Sequence, residues 1–140
     1  MQGLSILASL FKSGCGWLVS RNLAIAVIDD DESFRVALVE SLSSLGYGSS
    51  GYASAEEYLG GVADGSFDCV VTDIHMPGMS GLDLMKCLAD QGSTTPILLI
   101  TARSDSNLEA KAAAAGAVCL LRKPFEMSDL IKCIDGAVGV

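Results

Sequence analysis

Four short stretches of the chain, residues 24–28, 67–72, 96–101 and 118–121, are nearly continuous in apolar residues. They do not alternate apolar with polar, which is how strands buried on both faces of a parallel sheet read. Helical spacing lies between them. Phe34, Leu38, Leu42 and Leu45 fall on one face and stop at Gly46, a C-cap signal. Ser54, Ala55, Glu56 and Glu57 read as a capping box opening a helix to about residue 62, and the run from Ser80 to Asp83 as an acidic variant of it. The alanine-rich residues 108–115 end at Gly116, and Leu130, Ile131, Ile134 and Val138 make a last helix amphipathic. Residues 47–52, with Gly48, Gly51 and two serines, suit only a sheet edge. Counting that edge, five strands alternate with five helices, the pattern of a wound α/β domain.

Residues 1–22 break from this pattern. They are apolar with scattered Ser and Gly, and Leu4, Leu7 and Phe11 share a helical face. A secretory signal would need a basic start and a small-residue cleavage site, and neither is present. Lys12 stands where a lipoprotein motif around Cys15 would need an apolar residue. The segment reads as an N-terminal apolar tail, a short docking helix or leftover upstream sequence, ahead of one domain over residues 23–140.

Composition narrows the function classes. At 140 residues the chain has the length of one domain, and 50% apolar with 19% charged residues excludes a disordered or fibrous protein. No apolar run reaches the roughly 20 residues of a transmembrane helix. A net charge of −8 argues against direct contact with nucleic acid, which needs a basic face. The five cysteines show no CxxC spacing and four lie in apolar stretches, so they read as reduced, buried thiols of a cytoplasmic protein. His75 is the only histidine, and no cysteine pair could share a zinc site with it.

In an open parallel sheet, chemistry gathers beyond the carboxyl ends of the strands. The first strand runs into Asp29, Asp30, Asp31 and Glu32; the third into Asp73; the fourth into Thr101 and Ala102; the fifth into Lys123 and Pro124. Each has a plain structural explanation: a helix cap for one of the first three aspartates or for Thr101, a turn residue for Asp73, a solvated charge for Lys123. With strand order 2-1-3-4-5, however, all four ends converge, and their conjunction is what points to a site. Clustered carboxylates repel unless a cation shares their pocket, and hard oxygens with open water positions suit Mg²⁺. Carboxylate, Mg²⁺ and an opposed lysine make a phosphoryl-transfer constellation in which a carboxylate is the nucleophile.

The strings VIDDDES, VTDIHMPGMSG, LLITA and LLRKPF resemble the response-regulator receiver domain of two-component signalling, over about residues 23–138. The resemblance implies a flavodoxin-like, doubly wound, five-stranded parallel sheet of order 2-1-3-4-5. It implies that Asp73 is the phosphoacceptor, that Asp29 and Asp30 hold Mg²⁺ with Asp73 and the His75 backbone carbonyl, and that Thr101 with the Ala102 N–H binds the phosphoryl oxygens. Lys123 is implied to pair with the phosphoryl group, across a cis Lys123–Pro124 peptide. His75 and Arg103 fall at variable positions flanking the pocket, and His75 is expected to be an exposed loop residue. The implied partners are a sensor histidine kinase or phosphotransfer protein and a downstream protein, with self-association on phosphorylation as an option. The chain is expected to be cytoplasmic, to act as a single-domain or isolated receiver, and not to be an enzyme beyond its own phosphotransfer and dephosphorylation.

Leu120 stands where the family commonly carries Phe or Tyr, so coupling from Thr101 to the surface of the fourth helix, fifth strand and fifth helix is expected to be weak. Two rivals are weaker. Asp29-x-Asp31 also resembles the nucleophile motif of haloacid-dehalogenase phosphatases, but the later acidic metal pair is missing and Asp73 would have no role. An interaction module that has lost phosphorylation control would not need every pocket residue to be present.

Overall fold

A computed structural model describes residues 23–61, 66–105 and 107–139; the apolar tail of residues 1–22 lies outside them. Strands β1 (Ala24–Ile28), β2 (Gly48–Tyr52), β3 (Cys69–Asp73), β4 (Ile97–Thr101) and β5 (Cys119–Arg122) alternate with helices α1 (Glu32–Ser44), α2 (Ala55–Gly61), α3 (Gly81–Asp90), α4 (Leu108–Ala115) and α5 (Met127–Val138). The strands pair in parallel in the order β2-β1-β3-β4-β5, the flavodoxin-like winding expected from the sequence. No helix among the described residues is long and apolar enough to cross a membrane.

The period of two along each strand sorts side chains into two layers. Ala26 and Ile28, Val70, and Ile97 and Leu99 face a core with Leu84, Met85 and Leu88 of α3 and Leu108 and Ala112 of α4. Ile25 and Val27, Cys69 and Val71, and Leu98 and Ile100 face the other, with Leu38 and Leu42 of α1 and Leu130 and Ile134 of α5. Both faces of β1, β3 and β4 are therefore covered, which is why those runs are apolar throughout. β2 is the more exposed of the two edges, and its second glycine has a packing reason. A Cβ on Gly51 would lie 3.1 Å from Cγ and 3.2 Å from Cδ of Arg35, so the bare backbone leaves room for the α1 arginine to lie across the strand.

The helix starts follow the sequence chemistry. Asp31 caps α1 by accepting from the Phe34 N–H at 3.2 Å. Ser80 and Asp83 form the full capping box on α3. Ser54 accepts from Glu57 N–H at 3.0 Å, but the Glu57 carboxylate reaches back to Ala53 N–H, one residue before the cap. Thr101 caps no helix, since α4 begins seven residues later. Leu45, expected on the buried face of α1, is 41% exposed, because the helix ends there and the chain turns through Gly46 at φ 98°.

The cysteines depart from expectation. Cys69 is a free buried thiol and Cys87 a free, half-buried one, but Cys119 and Cys133 are joined by a disulfide with Cα atoms 6.1 Å apart. Alternation along β5 turns Cys119 into the α5 layer, and helical spacing turns Cys133 back towards it. The turn from β5 into α5 thus brings together residues 14 apart in sequence. Cys15 lies outside the described residues.

Gly81 opens α3 against the segment that leaves β3. Its N–H donates to the Ile74 carbonyl at 2.9 Å, and a Cβ there would collide with the Asp73 carbonyl oxygen and sit 3.1 Å from Ile74 Cα. Backbone cannot swing aside as a side chain can. Gly81→Ala is expected to cost about 2 kcal/mol, within the usual range for overpacking, read as a lower denaturant midpoint with unchanged m-value. A variant as stable as the parent would show that the α3 start moves freely away from β3.

Candidate functional site

Strand register assembles the site. Ile28 pairs with Thr72, Asp73 with Ile100 and Thr101 with Arg122, so the next residues of β1 and β5 fall beside the last residues of β3 and β4. The ladders continue just past the strands, with Asp29 N–H donating to Tyr52 O at 3.0 Å and Lys123 N–H to Thr101 O at 2.8 Å. These bonds hold the backbone of both charged residues to the sheet edge.

Asp29 is fully buried, and its two oxygens have separate partners. Oδ1 accepts from Asp31 N–H at 2.9 Å and Oδ2 from Lys123 Nζ at 2.8 Å. Asp73 is 7% exposed; Oδ2 accepts from Lys123 Nζ at 3.2 Å and Oδ1 from His75 N–H at 3.2 Å. The ammonium thus bridges two buried carboxylates. Lys123 reads from sequence as a solvated charge as readily as a site residue; its side chain is only 16% exposed. Asp30 is exposed at the rim, yet one carboxylate oxygen from each of Asp29, Asp30 and Asp73 lies within 4.8 Å of the others.

Burial pushes the Asp73 carboxyl above its ordinary pKa, and the charge of Asp29 adds to that. The Lys123 charge and the His75 N–H pull the other way without cancelling it. Burial alone would lower Lys123, but the hydrogen bond to Asp29 and the charges of both carboxylates outweigh it, so its pKa lies above the ordinary value. The site has more buried negative charge than one lysine neutralises. Three hard carboxylates close together with an unneutralised charge are a donor set that fits a small hard cation, with oxygens enough to leave other positions to water or phosphate.

Thr101 is fully buried, and its Oγ1 accepts from the Arg103 N–H at 3.0 Å. His75 is half-buried, contrary to the exposed loop expected for it, with Nδ1 3.4 Å from Thr101 Oγ1. The short loop after β3 folds it back onto the end of β4. Ala102 is exposed beside the pocket, and the Lys123–Pro124 peptide is cis, as the resemblance implied.

Three contributors are not read from the sequence as part of the site. Phe34 lies under the ammonium, with Lys123 Nζ 4.0 Å from its ring centroid, and meets Phe125 edge-on at 6.1 Å. Arg35 Nη1 donates to the Asp29 carbonyl at 2.8 Å. Glu56 on α2 accepts from the Met79 N–H at 3.0 Å, tying down the loop after β3. Phe34 has a signal of its own, as the first residue of the apolar face of α1, beside the strand end that carries Asp29.

A five-stranded wound sheet with an acidic pocket and a bridging lysine at its carboxyl edge defines the receiver class of signalling proteins. Residues 25–135 match the response regulator receiver domain, and the chain belongs to that family. The transcriptional regulatory protein FixJ of Bradyrhizobium diazoefficiens is 40% identical over 114 residues, 81% of this chain and 56% of that protein. The response regulator protein TodT of Pseudomonas putida strain F1 is 32% identical over 127 residues, 91% of this chain and 56% of its own. The chain therefore spans about half the length of these curated relatives. The crystal structure of FixJ-N superposes with TM-score 0.78 at 33% identity, covering 84% of this chain and 94% of the other. The chemotaxis protein CheY4 of Vibrio cholerae does so with TM-score 0.76 at 28% identity, covering 83% and 98%.

Proposed function

We propose that Asp73 accepts a phosphoryl group from a phosphohistidine on a sensor histidine kinase or phosphotransfer protein, in the cytoplasm, and that the resulting aspartyl phosphate changes what the domain binds. The observation that carries this is the Lys123 ammonium placed 2.8 Å from Asp29 and 3.2 Å from Asp73 beside a third carboxylate. A carboxylate oxygen of Asp73 attacks phosphorus, the P–N bond to the donor imidazole breaks, and the imidazole leaves with its electron pair. Charge neutralisation on the phosphoryl oxygens is what Mg²⁺ supplies when held by Asp29, Asp30, Asp73 and the His75 carbonyl. Lys123 keeps the attacking carboxylate oriented and then pairs with the phosphoryl group.

Thr101 and the Ala102 N–H read the result. In the resting state the Thr101 hydroxyl accepts from Arg103 N–H, and the Arg103 carbonyl in turn accepts from Arg122 Nη1 at 2.6 Å. Donating to a phosphoryl oxygen draws the hydroxyl away from this loop, and the loop's two arrangements become the resting and active populations. Leu120 packs partly buried in the α3–α4 layer and has no ring to swing into the space Thr101 vacates, so the response on that face is small. Which output the domain controls is set by its partner, or by chain joined to it.

Incubation with acetyl phosphate, followed by intact-mass measurement and peptide mapping, tests the reading. One phosphoryl adduct on Asp73 is expected, formed with Mg²⁺ and not formed when the metal is chelated beforehand. The metal dependence should steepen as pH falls, because protons bind Asp73 at a raised pKa and compete with the cation. Labelling that ignores Mg²⁺, or that maps elsewhere, would overturn the assignment.

A further inference from the structure

Cys119 and Cys133 lie outside the phosphorylation pocket, on the face where β5 meets α5. Their Cα separation of 6.1 Å falls inside the range disulfides use. Both residues are half-buried and open to a small reagent. Of the other described cysteines, Cys69 is a poor competitor, sealed inside the sheet where burial, with the nearby Asp68 charge, pushes its thiol up to about 12, and Cys87 is a free, half-buried thiol on α3.

The bond joins β5 to a helix whose ends lack side-chain support. No side chain caps the start of α5: Glu126 stands at the N-cap without a capping hydrogen bond, and the last turn carries no basic residue. Leu130 and Ile134 anchor its first two turns in the core, Ala137 and Val138 pack partly buried against the same layer, and Cys133 adds a covalent tie to the sheet.

We propose that Cys119 and Cys133 are a reversible thiol–disulfide exchange site, taking low-molecular-weight disulfides and thiols of the glutathione class, which sets how firmly the later part of α5 is held on β5. This rests on the cytoplasmic location proposed above, since a disulfide in a reducing compartment is more often a sensor than a staple. On oxidation, the thiolate of one cysteine attacks a sulfur of oxidised glutathione, forming a mixed disulfide and expelling one glutathione thiolate. The second cysteine attacks the protein sulfur of that mixed disulfide and expels the other glutathione. The protein loses two S–H bonds and gains one S–S bond; its two electrons leave on two molecules of glutathione, which also take up the two protons. Reduction is the reverse.

The pair is tested without any phosphoryl chemistry. The full chain is equilibrated in graded mixtures of reduced and oxidised glutathione, quenched in acid, alkylated and mapped by mass spectrometry. The peptides carrying Cys119 and Cys133 are expected to lose alkylation together in one transition and without retained glutathione, with Cys69 unaffected, Cys87 forming at most a glutathione adduct, and the transition unchanged in Cys15→Ser. Amide hydrogen exchange over residues 131–138 is expected to be about tenfold slower in the oxidised protein, with Cys133→Ser exchanging like the reduced parent. Separate transitions for the two cysteines, pairing of either with Cys15, or equal exchange in the oxidised and reduced proteins would each overturn the proposal.

Discussion

Asp73→Asn is expected to lose the phosphoryl adduct completely and, in metal-free buffer near neutral pH, to unfold at a higher denaturant concentration than the parent. The two outcomes share one cause. Asp73 is 7% exposed, and burial together with the charge of Asp29 raises its pKa in the folded state. The folded chain therefore binds this proton more tightly than the unfolded chain does. The associated stability is fully present below the ordinary carboxylate pKa and is lost as pH rises through the folded value. Asn cannot ionise, so the variant escapes that loss while keeping the shape of the side chain. Adding Mg²⁺ should raise the midpoint of the parent and move the variant much less, because the cation stabilises only what it binds. Denaturant melts at several pH values, with and without Mg²⁺, check this. A variant less stable than the parent at every pH would mean that the attraction of Lys123 for Asp73 outweighs its burial and its repulsion by Asp29.

Most of this architecture was legible because its causes are local or periodic. β1, β3 and β4 are covered on both faces and read as unbroken apolar runs; the β5 edge reads as an apolar run too, and only the β2 edge reads as weak. The strand-end residues Asp29, Asp73, Thr101 and Lys123 followed from a rule about open parallel sheets, and register then brought them together. The resemblance supplied the roles that geometry alone would leave open.

What stayed hidden depends on contacts between elements that no repeat in the sequence marks. Gly51 reads as a weakness of β2 until Arg35 is seen crossing it on the way to the Asp29 carbonyl. Glu56 reads as part of a helix start, and only the approach of α2 to the loop after β3 turns it onto the Met79 N–H. His75 is polar and sits in a loop, so exposure was the natural expectation; the tight return of that loop puts its ring beside Thr101 instead. The cysteines misled for the same reason. Spacing motifs mark cysteines close in sequence, whereas Cys119 and Cys133 meet because a strand and the helix after it turn towards each other.

Lys123→Ala is expected to move stability in the opposite direction from Asp73→Asn, by about 3 kcal/mol near neutral pH, since removing one partner of a buried ion pair strands the other. Asp29, fully buried, would keep only the Asp31 N–H on Oδ1 and lose the partner of Oδ2. Asp73 would lose both the charge and the hydrogen bond of Lys123, leaving only the His75 N–H to hold its pKa down, and Phe34 would lose the ammonium 4.0 Å from its ring centroid. The pKa of Lys123 is raised in the folded state, so the stability it contributes is complete below the ordinary lysine pKa and lost only as pH rises through the folded value. The parent should therefore hold this contribution across the whole neutral range. In the variant the deficit should shrink in mild acid, where a proton on Asp73 takes over part of the neutralisation, and shrink again with Mg²⁺. Lys123→Met separates charge from packing, because it keeps an apolar stem against Phe34 and removes only the ammonium. If Met restores the parent's stability at neutral pH, or if the Ala deficit is the same in mild acid as at neutrality, the lysine acts by filling space, and the electrostatic account of the pocket fails.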